Sequence, residues 1–285
     1  MMKNIAIVVK PHAEEVADIT IQICDYLKSE GKNVLLEERT ASVLGYSDFT
    51  AHDEIKNNAD LLIVLGGDGT LISSNRIISG ANIPILGVNL GRLGFLTETK
   101  VEEALDTVKK VLSGNYRFDN RMKLISDIFY DEEKVFGIEV LNDIVINKGA
   151  LARIIDIEVH IDNQYVNTYR ADGLIISTPT GSTAYTLAAG GPIVYPTLNS
   201  IILTPICPHS LTHRPIVIHD DSEIKIRILN DDEKVFITYD GQIGRKMSLK
   251  EEIFIYKSPQ PVKLIVSQKR NYFALLKEKL GWGST

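Results

Sequence analysis

Five consecutive apolar residues, Leu61–Leu65, run directly into Gly66-Gly67-Asp68-Gly69-Thr70. A short continuous apolar run reads as a strand buried on both faces, and the glycines after it make a thin loop. Strands of this kind belong to parallel sheets covered by helices, and the first hundred residues keep to that plan. Residues 5–9, 33–36 and 85–88 read as further strands. Residues 14–29 set Val16, Ile19, Ile23, Tyr26 and Leu27 at helical spacing with Gly31 as the stop. Residues 101–112 carry a second amphipathic pattern. The expected fold of this part is a Rossmann-like α/β domain with a parallel sheet.

After Tyr116 the period changes. Residues 125–130, 135–141, 154–161, 164–169, 174–177, 223–229 and 235–239 read as short strands, several of them alternating. Turn signals such as Asp162-Asn163 and Asn230-Asp231-Asp232 separate them. This part is all-β, and a β-sandwich is expected. A strand at 262–266 and a helix at 272–280 end the chain, the helix being expected to pack back on the first domain. The resulting division is an α/β domain of residues 1–115, completed by 268–285, and a β-rich domain of residues 116–267.

A length of 285 residues suits two domains. No apolar run approaches the ~20 residues of a membrane span, so no membrane partner is expected. The first residues lack a long apolar core and a cleavage site, and read as a strand rather than a signal peptide. Cys24 and Cys207 give no disulfide framework and suit a reducing cytoplasm. The net charge is −6 with no long basic run, which argues against nucleic acid as a partner. An anionic ligand therefore has to be held by local groups.

The glycine loop offers such groups. At the carboxyl edge of a parallel sheet, where α/β proteins place ligands, Gly66, Gly67, Gly69 and Thr70 form a candidate phosphate loop leading into a helix near Leu71. Asp68 projects into the same place. A carboxylate beside phosphate is an electrostatic cost unless it has a task, and accepting or orienting the proton of an attacking hydroxyl is one. The plainer alternative is a tight turn in which Asp68 caps the helix. No Gly-x-x-x-x-Gly-Lys-Ser/Thr loop occurs, nor the His-Arg-Asp and Asp-Phe-Gly pair. A second glycine cluster, Gly87-Val88-Asn89-Leu90-Gly91-Arg92-Leu93-Gly94, does not have dinucleotide-fingerprint spacing and serves either as a βα turn or in direct contact.

The run from Arg170 to Tyr185 is more specific. Ser177, Thr178, Thr180, Ser182 and Thr183 crowd hydroxyls around Gly181, and Pro179 fixes the loop. Ser182 and Thr183 are placed to start a short helix through Ala188. Tyr185 offers a flat face to a base, and Asp172 accepts from an amide or amine. Asn142-Asp143 sets an amide and a carboxylate side by side at a strand end. His209 and His213 stand four apart, but Pro208 and Pro215 bracket them without a third ligand, so no protein-bound metal is expected.

These motifs resemble, in order along nearly the whole chain, those of the NAD kinase family. The resemblance rests on Gly66–Gly69, the Gly87–Gly94 cluster with Phe95-Leu96, Asn142-Asp143, the 171–185 run, Cys207-Pro208-His209 with Arg214-Pro215, and Asp240-Gly241-Gln242. It implies a kinase that moves the terminal phosphoryl group of ATP, or of polyphosphate, to the adenosine 2′-hydroxyl of NAD, with Mg²⁺ carried on the phosphates. Asp68 is then the proton acceptor, with Gly69 lining its pocket, and Asn142 and Asp143 bind ribose hydroxyls. Asp172 holds a polar edge of a base, and Thr180 belongs to the same loop. Thr183, Ala184, Tyr185, Thr186, Leu187 and Ala188 surround the adenine. Arg153 and Arg170 bring positive charge near phosphate, and Gln242 a polar contact. NAD and NADP are the implied ligands, the site is expected between the two domains, and a homodimer or homotetramer is implied. A lipid or sugar kinase sharing the Gly-Gly-Asp-Gly loop, and a dinucleotide sensor without turnover, remain as competing readings.

Overall fold

The structure, a computed structural model, describes residues 2–10, 16–91, 93–149, 153–230, 235–268 and 271–282. It divides into one unit of Met1–Asn120 with Val262–Thr285 and a second of Arg121–Pro261. The first runs β1 (Asn4–Val9), α1 (Ala17–Ser29), β2 (Asn33–Leu36), α2 (Glu38–Val43), α3 (His52–Asn58) and β3 (Leu61–Leu65). It continues with α4 (Asp68–Ile77), β4 (Ile85–Asn89), β5 (Thr99–Lys100), α5 (Ala104–Leu112) and β6 (Arg117–Arg121). The second unit runs β7 (Leu124–Tyr130), β8 (Glu133–Val140), β9 (Asp143–Lys148), β10 (Ile155–Ile161), β11 (Gln164–Ala171), β12 (Gly173–Ser177) and α6 (Tyr185–Ala188). Strands β13 (Ser200–Ile206), β14 (Ile216–His219), β15 (Ile224–Ile228), β16 (Val235–Tyr239), β17 (Ile243–Lys246) and β18 (Glu251–Lys257) follow. The chain then re-enters the first unit as β19 (Val262–Val266) and α7 (Tyr272–Leu280).

The first unit is built on a seven-stranded sheet in the order β2-β1-β3-β4-β19-β6, with β5 alongside β4. The pairs from β2 to β19 are parallel. All five residues of β3 are fully buried, as its unbroken apolar run requires. Ile5, Ile7, Ile63 and Val88 pack with Ile23 and Leu27 of α1 and Val108 of α5 in one core. Sequence reading placed 262–266 at the end of the β-rich domain; here β19 extends the parallel sheet, Leu264 opposite Ile85 and Ile265 opposite Leu86. The helix expected over 14–29 begins at Ala17, and Glu14 and Glu15 lie outside the described residues. So do Asp231 and Asp232 of the expected 230–232 turn and Arg92 of the second glycine cluster.

The second unit consists of two six-stranded antiparallel sheets, β11-β10-β15-β18-β7-β8 and β14-β13-β12-β9-β16-β17. Ile157, Ile226 and Ile253 of one sheet share a core with Ile144, Leu174, Ile176 and Ile237 of the other. This is the sandwich the alternating strands imply. Strands β10, β15, β16 and β18 bury every other residue, whereas β12 is buried throughout. Gly173 opens β12 at a point of close approach. A β-carbon there would stand 2.3 Å from the Ile146 carbonyl oxygen of β9 and 3.1 Å from Ile206 Cδ1. Backbone cannot yield as a side chain does, so Gly173→Ala is expected to cost about 1–3 kcal/mol in a urea melt.

Candidate active site

Each unit contributes one cluster of predicted residues, and each cluster is held together by its own backbone. In the first, Gly67 caps α4 without a side-chain bond and Asp68 is the helix's first residue, three positions earlier than expected. Asp68 is free of capping duty because its carboxylate reaches across to the loop after β4. Oδ1 accepts from the amides of Leu96 and Thr97 and from the Thr97 hydroxyl, all at 3.0 Å, and Oδ2 accepts from the Phe95 amide at 2.8 Å. The segment 95–97, directly after the second glycine cluster, is thus the cradle of Asp68. A β-carbon on Gly94 would lie 2.0 Å from Asp68 Oδ1, so only glycine lets the loop close on it. Asn89, buried at the end of β4, accepts from the Gly91 amide at 2.7 Å and donates to the Thr97 hydroxyl at 2.8 Å. A β-carbon on Gly66 would meet the Thr70 side chain at 2.4 Å, which accounts for that glycine.

In the second unit, β9, β12 and the β16–β17 turn bring Asn142, Asp143 and the 178–188 loop together. Ser177 stands opposite Asp143 across β12 and β9. The Thr178 hydroxyl donates to the Leu141 carbonyl at 2.6 Å and accepts from the Gly181 amide at 3.0 Å. The Ser182 hydroxyl donates to the Pro179 carbonyl at 2.6 Å, and that of Thr183 to the Thr180 carbonyl at 3.2 Å. The buried Arg121 donates to the Thr180 hydroxyl at 3.3 Å. Much of the hydroxyl density therefore braces the loop itself. The expected single helix from Ser182 to Ala188 is two short turns, Gly181–Thr183 and α6, broken at Ala184. The break lets the Tyr185 amide turn to Asp143, whose carboxyl it meets. Tyr185 leaves its ring 45% exposed, which is what a stacking surface requires.

The charges in this cluster are uneven. Asp143 is only 4% exposed. Burial first, and then the negative charge of Asp240, push its carboxyl up from 3.8 to about 7, against the pull of the Tyr185 amide. In the sequence Asp240 stands only as part of the Asp-Gly-Gln turn, yet its carboxylate accepts from the amides of Leu141, Asn142 and Asp143 at 3.1, 2.7 and 3.2 Å. No motif of spacing announces that contact, because about a hundred residues separate the partners.

The remaining predicted residues lie elsewhere in the second unit. Asp172 sits at the other end of β12, roughly 17 Å from Ser177 at 3.3 Å per strand residue, and pairs with Lys148 Nζ at 2.9 Å. Arg170 is exposed on β11 opposite Asp156, and Arg153 is exposed just before β10. Gln242 is exposed at the hairpin tip, its amide donating to the Tyr239 carbonyl at 3.0 Å.

The position of Asp143 fixes a pH dependence. Its folded-state value of about 7 exceeds its ordinary 3.8, so the folded chain keeps a proton that the unfolded chain releases. The stability this confers is complete below the ordinary value and is lost as pH rises through the folded one. Asp143→Asn keeps the shape and cannot ionise. Its melting temperature relative to the parent chain is expected to rise between about pH 4 and about pH 7, measured by thermal unfolding.

Both sequence and fold have known counterparts. The ATP-NAD kinase N-terminal domain matches residues 5–116, and the ATP-NAD kinase C-terminal domain matches residues 141–267. The NAD kinases of Geotalea daltonii and Geobacter metallireducens are 45% and 46% identical over 282 residues, covering 99% of this chain and 99% of each relative. Among solved structures, the chain is similar to yeast NADH kinase complexed with NADH, with a TM-score of 0.92 and 26% identity over 100% of this chain and 89% of that one. It is also similar to an NAD kinase from Archaeoglobus fulgidus in complex with ATP, with a TM-score of 0.77 and 27% identity over 98% of each. With both domains matched and close to half the residues shared along the full length of its relatives, the chain belongs to the NAD kinase family.

Proposed function

We propose that the chain transfers the terminal phosphoryl group of ATP to the adenosine 2′-hydroxyl of NAD, giving NADP, with Asp68 accepting or orienting the proton of that hydroxyl. The observation that carries this is the unequal loading of Asp68. Oδ1 takes three donors and Oδ2 one, so Oδ2 has the greater remaining capacity to accept a proton from a substrate hydroxyl. Phosphoryl transfer passes through a loose transition state, in which positioning and charge neutralisation dominate. Asp68 therefore serves mainly by aiming the nucleophile. Gly66, Gly67, Gly69 and Thr70 sit around it at the start of α4, where backbone amides favour phosphate oxygens.

In the second unit, Asn142 and Asp143 are assigned to the ribose hydroxyls, the Thr183–Ala188 turn to the adenine, and the exposed ring of Tyr185 to stacking. Thr180 supports that turn. Asp172 is assigned to a polar edge of the nicotinamide, with Gln242 as a further polar contact and Arg153 and Arg170 as positive charge for phosphate. Mg²⁺ arrives on the donor's phosphates, as its reluctance to shed water favours. Polyphosphate is the alternative donor. A cytoplasmic location, for which the two unlinked cysteines speak, and a homodimer or homotetramer complete the reading.

The test is NADP formation from NAD with ATP and Mg²⁺, followed through an NADP-specific dehydrogenase. Accumulation of NADP with ATP or with polyphosphate is expected, and the active donor identifies itself. Binding of NAD without product from either donor would contradict a kinase and leave a sensor.

A further inference from the structure

Asp240 stands out as a charged group for which the phosphoryl-transfer reading has no use. It sits at the tip of the β16–β17 hairpin with a φ of 51°, followed by Gly241 at 64°. Aspartate tolerates this left-handed conformation better than most side chains. Its carboxylate gathers the consecutive amides of Leu141, Asn142 and Asp143, and its own amide donates to the Asp143 carbonyl at 2.9 Å. From the opposite side, the Thr178 amide donates to the Asn142 carbonyl at 2.9 Å, and Gly181 leaves no room for a β-carbon, which would lie 2.1 Å from that same oxygen. The Asn142–Asp143 pair is thus clamped between a hairpin tip and the 178–183 loop.

An acid is an unusual clamp beside the buried Asp143, where a neutral asparagine would also accept from amides. We propose that Asp240 is a positioning residue of the nucleotide site: it fixes the backbone of Asn142 and Asp143 through their amides and sets a second carboxylate beside the buried Asp143. The proposal rests on the assignment of Asn142 and Asp143 to the ribose.

The surroundings of Asp143 support the charge argument. The hairpin tip brings Asp240. The 177–183 loop brings hydroxyls and no charge of its own, with Arg121 reaching it at Thr180. The start of α6 brings the Tyr185 amide. Asp240 is held by three amides and Asp143 by one, and burial first, then the neighbouring Asp240, push the Asp143 carboxyl up. A protonated Asp143 can donate to a sugar oxygen as well as accept, which a carboxylate cannot. As pH rises through about 7 the proton leaves, and two like charges then share the clamp.

Three proteins decide this: the parent chain, Asp240→Asn and Asp240→Ala. The KM for NAD of the parent is expected to rise with pH around a midpoint near 7. Asp240→Asn keeps an amide acceptor and the turn but removes the charge, so its midpoint is expected about one unit lower. Asp240→Ala loses all three amide contacts. Its KM is expected to rise about tenfold or more, with kcat changing less. An unmoved midpoint in Asp240→Asn, or a fall in kcat matched by no change in KM, would overturn the proposal. The pH profile of thermal unfolding reads the same coupling without turnover. A parent chain that forms no NADP would therefore count against the kinase reading, while an unfolding profile identical in the parent and Asp240→Asn would count against this one.

Discussion

Asp68 keeps its place because three amides and a hydroxyl of one loop hold its carboxylate. Much of the first unit serves that cradle. Strand β3 delivers Asp68 to the carboxyl edge of the sheet, and its neighbour β4 delivers the cradle loop. Asn89 staples the two ends of that loop, and Gly94 gives the clearance that lets it close. The parallel register of β3 with β4 therefore sets where Asp68 meets its cradle. Sliding one strand past the other would move its carboxylate relative to the amides that hold it.

The second unit solves a related problem with two carboxylates. Burial alone would raise Asp143, and a second acid beside it makes ionisation dearer still. The amides are shared unequally, three meeting Asp240 and one meeting Asp143. Environments that push neighbouring acids apart in this way are how proteins give the same side chain two roles. The hydroxyls around Gly181 serve the same end indirectly, since they lock the loop against which Asn142 is pressed.

The parts that could be read from the sequence were those where one local rule dominated. The apolar run of β3, the helical spacing of α1 and α5, and the alternation of β10 and β16 each follow from burial. Elements that break a local rule were passed over. Strand β13 contains Pro205, which argues against an interior strand, yet β14 pairs only with Ser200 to Leu203 and leaves the proline beyond its reach. Strand β18 opens on Glu251 and Glu252, a charge-rich start that lacks the pattern of a buried strand. Glu251 is nevertheless buried, where it pairs with Arg245 and accepts from the Ser248 amide at 2.9 Å. Helix α3 has a single buried apolar residue, Ile55, too little to show a period. At the site, the glycines and acids were legible as types, but their partners were not. The bonds of Asp68 to residues 95–97 and of Asp240 to residues 141–143 join positions that only the fold brings together.

The account turns on Asp68 acting in the chemical step rather than in binding. The measurement that tests this most directly is single-turnover formation of NADP with enzyme in excess, set beside NAD affinity by titration calorimetry, for the parent chain and Asp68→Asn. The account predicts that the variant binds NAD nearly as well and loses the chemical step by about a thousandfold or more, since asparagine can neither accept the proton nor keep the charge. A variant that transfers phosphate at close to the parent rate would contradict the account. So would one whose loss is wholly a loss of NAD binding.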